Sequence, residues 1–229
     1  MCKIHSQTAV LPRPRQQPPA ARPADLDIDQ SWKEQVYDFT RDNLEHTAWG
    51  LQHSERDYLL SKDIARQSRL QVDQDVLFAA AFLHDMGGFP GFQKEGVDHA
   101  IRSAEVCDQI LRPAGFPEEK IEDVRSAIRT HSYYSKEAPE TPEGAALHDA
   151  DCLDFLGAVG VARILSLTQR EPFTPTLESA VKLAENLKST AGKTLYSGDY
   201  ARQLADSRIQ EMDLFLTRLD AESFGRKHL

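Results

Sequence analysis

Eight apolar residues, Val76 to Leu83, run without interruption into His84-Asp85-Met86-Gly87-Gly88. The run contains no Gly or Pro and follows Asp73, a residue suited to accept from the free N–H groups of a helix start. It predicts a buried helix over 73–85. Gly87 and Gly88 are expected to end that helix through a left-handed exit. His84 and Asp85 then fall on its last turn, at the edge of the core. Unpaired carbonyls and the negative end of the helix dipole gather there and favour a cation. Successive helical residues point about 100° apart, yet both side chains can reach one ion beyond the helix end. Imidazole nitrogen with carboxylate oxygen suits one divalent metal: Mn, Fe, Co, Ni, Zn or Mg.

A buried helix needs a core around it. The chain has 229 residues, 40% of them hydrophobic. Pro12, Pro14, Pro18, Pro19 and Pro23 crowd an N-terminal stretch almost free of large apolar side chains. Residues 1–29 are therefore expected to be a disordered Pro-rich tail, and residues 30–225 the folded domain. The net charge of −9 excludes a broad nucleic-acid surface, which needs a basic field. It leaves room for a small phosphorylated ligand, which needs only a few local cations. Cys2, Cys107 and Cys152 form no CxxC pair and imply no disulfide framework, so a reducing compartment and a cytoplasmic location are expected. No apolar run approaches the ~18 residues of a membrane span, and no secretory h-region follows Lys3.

The rest of the chain reads as helices. Trp32, Val36, Phe39 and Leu44 share one face. After a break at Trp49-Gly50-Leu51-Gln52, His53 opens a second helix, with Asp57 and Leu60 on its inward face. Asp98 can cap a helix carrying His99, Ala100, Ser103, Ala104, Val106, Cys107, Ile110 and Leu111. Ile121, Val124, Ile128 and then His131 form the inward row of the next. Another begins near Glu143 and carries Asp151 and Asp154, continuing or kinking through Gly157 and Gly160. Residues 176–190 and about 199–221 complete the set. With no convincing strand, the class is all-α, a single-domain bundle of roughly eight or nine helices.

His53, His84, Asp85, His131 and Asp151 all face inward, and His99 starts its own helix. His5, His46, His148 and His228 are read as ordinary core or surface histidines. The sequence H…HD…D resembles the metal-dependent HD-domain phosphohydrolases, over about residues 30–220. His53-Ser54-Glu55-Arg56 resembles the family's first-ligand helix, and Leu83-His84-Asp85-Met86-Gly87 its central motif. Asp149-Ala150-Asp151-Cys152-Leu153-Asp154 resembles its last-ligand helix.

The resemblance implies one divalent ion held by His53, His84, Asp85 and Asp151, with Asp149 as the alternative last ligand. It implies that Asp85 orients or deprotonates the attacking water. His99 and His131 are expected to contact the substrate or donate a proton to the leaving group; a second metal through the same pair, or a structural role, stays open. Arg56, Lys94, His99, Arg102 and Asp154 are candidate substrate contacts, Asp85 and His131 candidate catalytic groups. The Phe89–Phe92 loop is a lid, an aromatic wall or a core plug. The expected substrate is a small phosphorylated metabolite, a nucleotide by preference. A di-iron oxygenase of the same fold and a non-catalytic metal-stabilised sensor module are the alternatives. The C-terminal helix packs on the core or pairs with a second copy in a homodimer.

Overall fold

The structure, a computed structural model, describes residues 23–227 and residue 229. Most of the expected tail, residues 1–22, and His228 lie outside the described residues, as do Cys2 and His5. Residues 24–29 pack on the domain: Ala24–Leu26 forms a short 3-10 turn and Leu26 is fully buried. The packed chain thus begins before the boundary at residue 30.

The apolar run is the hub of the bundle. Helix α1 covers Ser31–Asn43, α2 Leu51–Ser68 and α3 Gln74–Leu83. Every residue from Val76 to Leu83 is buried. Asp73 caps α3 by accepting from the N–H groups of Asp75 and Val76. α3 touches α1, α2, α6 (Ile121–Arg129) and α7 (Pro142–Asp154), which explains an element apolar on all sides. The Thr40 hydroxyl donates to the Phe82 carbonyl at 2.8 Å and ties α1 to the end of α3.

That end differs from the expected left-handed exit. His84 keeps helical angles and Met86–Gly88 tighten into a 3-10 turn. Neither glycine has positive φ. Gly87 is needed for close approach instead. A Cβ there would lie 2.5 Å from the His99 carbonyl oxygen and 2.6 Å from the Ser103 nitrogen, both backbone. α4 (His99–Val106), capped by Asp98 as expected, thereby presses against the turn. The Gly87 N–H donates to the Ser103 hydroxyl at 2.8 Å.

Two expected helices are each divided. The one after Asp98 breaks at Cys107 into α4 and α5 (Asp108–Ala114). The one from residue 142 ends at Asp154. Gly157, at φ +72°, then turns the chain into α8 (Gly157–Ser166). α9 (Leu177–Thr190) and α10 (Asp199–Glu222) pack with α8 around a second apolar cluster that includes Leu153, Leu156, Ile164, Leu187 and Met212. Leu204, Ile209, Met212 and Leu216 of α10 pack toward the domain, while Leu214 and Phe215 face solvent. The described residues contain no strand, and none of their helices is long and apolar enough to cross a membrane. α2 and α7 lie along each other between the two clusters.

Candidate metal centre

Four elements deliver side chains to one point. His53 and Asp57 sit on α2, one turn apart. His84 and Asp85 follow α3, Asp151 lies on α7, and His131 follows α6. His53, Asp57, His84, His131 and Asp151 are all buried, and the Asp85 side chain is 14% exposed. Around His53 Nε2 lie His84 Nε2 at 3.2 Å, Asp57 Oδ2 at 3.3 Å, Asp151 Oδ1 at 3.4 Å and Asp85 Oδ2 at 3.5 Å. The four residues of the H…HD…D pattern, separated by almost a hundred positions, are brought together.

Ring orientation is fixed from behind. His84 Nδ1 donates to the Ala81 carbonyl at 2.9 Å, and His131 Nδ1 to the Ile128 carbonyl at 2.6 Å. His53 Nδ1 donates to Asp154 at 2.8 Å. The His53 and His84 rings thereby turn Nε2 toward the shared point and the His131 ring turns it toward Asp85 Oδ1, the arrangement in which imidazole acts as a ligand. Two such nitrogens 3.2 Å apart, among carboxylates, require a cation between them. Without a metal, a proton serves. Burial and Arg163 lower the His53 pKa, but Asp57, Asp151 and Asp154 outweigh them and raise it to about 10. Burial pushes Asp85 up, yet the imidazoles of His84, His131 and His99 hold it well below the usual carboxylate range. The donor set therefore fits a divalent cation with mixed nitrogen and oxygen ligands.

Asp85 faces two ways. Its Oδ2 lies 3.4 Å from His84 Nε2, and its Oδ1 lies 3.2 Å from His99 Nε2 and 3.5 Å from His131 Nε2. The last two nitrogens are 3.2 Å apart. Their environments separate them. Burial lowers the His99 pKa, but Asp85 and Asp98 outweigh it and raise it overall. Burial also dominates at His131, helped by His84 and His99, and lowers it despite Asp85.

One side of this cluster forms the floor of a cavity of about 470 Å3. Asp85, His99, His131 and Asp151 reach it, and Trp49, Tyr133, Tyr134, Phe155, Phe173 and Leu187 form much of its wall. None of these wall residues carries a motif. Tyr133 and Tyr134 do come soon after His131, in His131-Ser132-Tyr133-Tyr134, which was the available signal.

Several expected substrate contacts lie elsewhere. Arg56 donates through Nε and Nη2 to Asp154 at 2.8 Å each. Asp154 is 2% exposed and also accepts from Arg163 at 2.7 Å, so it faces the back of His53 and not the cavity. Lys94 is exposed and lines no part of the cavity. Arg102 donates to the Phe92 carbonyl and pairs with Glu105. Phe89 is buried and Phe92 packs edge-on against Phe39, so this loop plugs the core and forms neither lid nor cavity wall. Asp149 caps a turn, accepting from the N–H groups of Tyr196 and Ser197. His46 stacks on Trp49 and pairs with Glu171, and His148 contacts Asp149 and Tyr196.

The HD domain family matches residues 50–156, a span holding His53, His84, Asp85 and Asp151. Residues 50–156 therefore form an HD domain. Structures similar to this HD-domain chain include a predicted HD superfamily hydrolase from an uncultured Thermotogales bacterium, at 26% identity. Its TM-score is 0.58, over 82% of this chain and 91% of that one. Bacillus subtilis YpgQ in complex with ADP is 23% identical, with a TM-score of 0.62 over 83% of this chain and 97% of that one. An HD-superfamily hydrolase from Bacillus thuringiensis is 20% identical, with a TM-score of 0.59 over 83% and 95%. No curated protein matches the sequence significantly. The HD family span stops before α8 and α9, which supply Arg163, Leu183 and Leu187 to the cavity. The floor residues thus lie inside the matched span, whereas the wall is shared between that span and the helices beyond it.

Proposed function

We propose that this HD-domain protein is a metal-dependent phosphohydrolase acting on a small phosphorylated metabolite, with a nucleotide as the preferred substrate class. The carrying observation is the convergence of two imidazoles and several carboxylates on one point beneath an aromatic-walled cavity. His53, His84, Asp85 and Asp151 would hold the ion. When bound, a divalent ion supplies an activated water at neutral pH and a positive charge against a phosphoryl oxygen.

The chain's own groups do the rest. Asp85, held ionised by its imidazole neighbours, accepts a hydrogen bond from the water and orients it. His99, with its raised pKa, is suited to donate a proton to the leaving oxygen, while neutral His131, whose Nδ1–H is engaged by Ile128, accepts at Nε2 from His99 and positions that ring. Arg163 lines the cavity, and its Nη2 has no hydrogen-bond partner. Trp49, Tyr133, Tyr134 and Phe155 offer faces for a planar base. The ADP complex of YpgQ, a protein of similar fold, accords with that choice. Phosphate release from a nucleotide panel tests the reading. Wild type should release phosphate with Mn2+ or Co2+ and lose that activity after chelation, and folded His84→Ala should be inactive. Undiminished turnover by His84→Ala would remove the basis for the proposal.

The two-faced carboxylate of Asp85 favours a second reading. His99 and His131 lie on its Oδ1 side as His53 and His84 lie on its Oδ2 side. A second ion held by His99 and His131 across Asp85 would open the di-iron oxygenase chemistry. Two irons per chain with a mixed-valent signal would select it; one ion per chain with phosphate release would select the hydrolase.

A further inference from the structure

Asp57 is the one carboxylate of the centre that the H…HD…D pattern does not contain. It is completely buried, and neither oxygen has a hydrogen-bond partner. No arginine or lysine pairs with it among the described residues. Its Oδ2 lies 3.3 Å from His53 Nε2 and 3.7 Å from His84 Nε2. Oxygen and nitrogen atoms of His53, Asp57, His84 and Asp151 all fall within one another's reach as a potential ligand set. A buried carboxylate with no donor is among the costliest groups a protein can keep. The cost is offset if a cation sits where its oxygen points, and the nearest atoms there are the ligand faces of two imidazoles.

We infer that Asp57 is a further metal ligand, supplied from α2 one turn after His53, so that the ion is held by two imidazoles and three carboxylates. The inference rests on the metal centre proposed above. The consequences are physical. The additional anionic donor raises affinity for a hard divalent cation such as Mn2+ and takes a coordination position that water would otherwise fill. It also makes the metal-free centre self-repelling, because Asp57, Asp85 and Asp151 crowd the same imidazoles.

Those two effects have opposite signs in one variant, which provides the test. Asp57→Asn keeps the shape, removes the charge and weakens the ligand. Metal-free Asp57→Asn should melt higher than metal-free wild type, yet gain less on addition of Mn2+. Its Mn2+ affinity, measured by titration calorimetry, should fall by roughly tenfold to a hundredfold, the scale on which even supporting groups of a metal site act. The visible spectrum of the Co2+-loaded protein should also change, reporting an altered ligand field. Asp57→Leu, similar in volume and apolar, serves if the Asn variant does not fold. Wild-type affinity with an unchanged Co2+ spectrum in either variant overturns the inference. If His84→Ala then loses Mn2+, the metal centre stands without Asp57 as a ligand. If wild type itself takes up no Mn2+, the centre and the inference fail together.

Discussion

Asp154 is where stability and chemistry meet, and Asp154→Asn separates them. The carboxylate accepts from His53 Nδ1, from Arg56 twice and from Arg163, each at 2.7–2.8 Å. Arg163 is 5% exposed, its Nε is spent on the Ala48 carbonyl, and its guanidinium lies over the Phe155 ring. Removing the charge leaves that guanidinium buried without a counter-ion, a loss on the order of 3–5 kcal/mol. Arg56 adds little, because its side chain is a third exposed and solvent screens it. Urea unfolding of the metal-free protein measures the loss without the contribution of bound ion. Separately, the amide accepts less well from His53 Nδ1–H, so Mn2+ affinity should fall by about tenfold to a hundredfold.

A double variant divides the two effects. Adding Arg163→Met removes the stranded charge and should restore much of the stability, on the order of 2–3 kcal/mol, while Mn2+ affinity stays low. The pH dependence has a definite sign. Burial raises the Asp154 pKa, but Arg163, His53 and Arg56 outweigh it and hold the carboxyl below its ordinary range. Its contribution is therefore complete above the unfolded-state value of about 4 and is lost as acid titrates it below that. A loss under about 1 kcal/mol in Asp154→Asn, with unchanged Mn2+ affinity, would refute the argument, since no buried pair would then have been broken.

Two further outcomes follow from the same geometry. Asp149→Ala should cost about 2–3 kcal/mol in urea unfolding, because the N–H groups of Tyr196 and Ser197 lose their acceptor; its Mn2+ affinity should match wild type, whereas Asp151→Ala should lose Mn2+ binding. Metal uptake near neutral pH should release about one proton from His53, whose pKa near 10 keeps it protonated in the metal-free protein; calorimetry in buffers of different ionisation enthalpy measures this, and a buffer-independent heat would contradict it.

What could be read in advance follows from range. The apolar run, its Asp73 cap and the Asp98 cap are local signals, and α3 and α4 begin where those signals say. Periodicity supplied inward faces for His53, His131 and Asp151, whereas the grouping of His53, His84, Asp85 and Asp151 around one ion came from the family resemblance. Asp57 was visible on the same face as His53, but spacing says nothing of whether a buried carboxylate has a partner. Long basic side chains were less legible still. Arg56 and Arg102 lie one turn from imidazoles, yet a flexible stem lets the head group go to the nearest fixed acceptor: Asp154 for one, the Phe92 carbonyl for the other. Gly87 looked like a helix stop, and its role is set by a second helix that arrives from outside its local sequence.

The charges spent in this way constrain the substrate. Arg56 and Arg163 balance Asp154 behind the centre, while Asp57, Asp85 and Asp151 face the imidazoles in front. The protein alone therefore offers a phosphate little positive field at the cavity floor: His99 when protonated, and the unpartnered Nη2 of Arg163 on the wall. The two floor carboxylates, Asp85 and Asp151, repel an anion until a cation offsets them. A substrate carrying many phosphates would have to direct most of them toward the mouth, because the walls are Trp49, Tyr133, Phe155 and Leu187, which pay nothing back for the lost hydration of a phosphate. For a substrate of the proposed class, recognition would then fall to its uncharged part, stacked on those rings, with a single phosphoryl group directed to the floor beside His99.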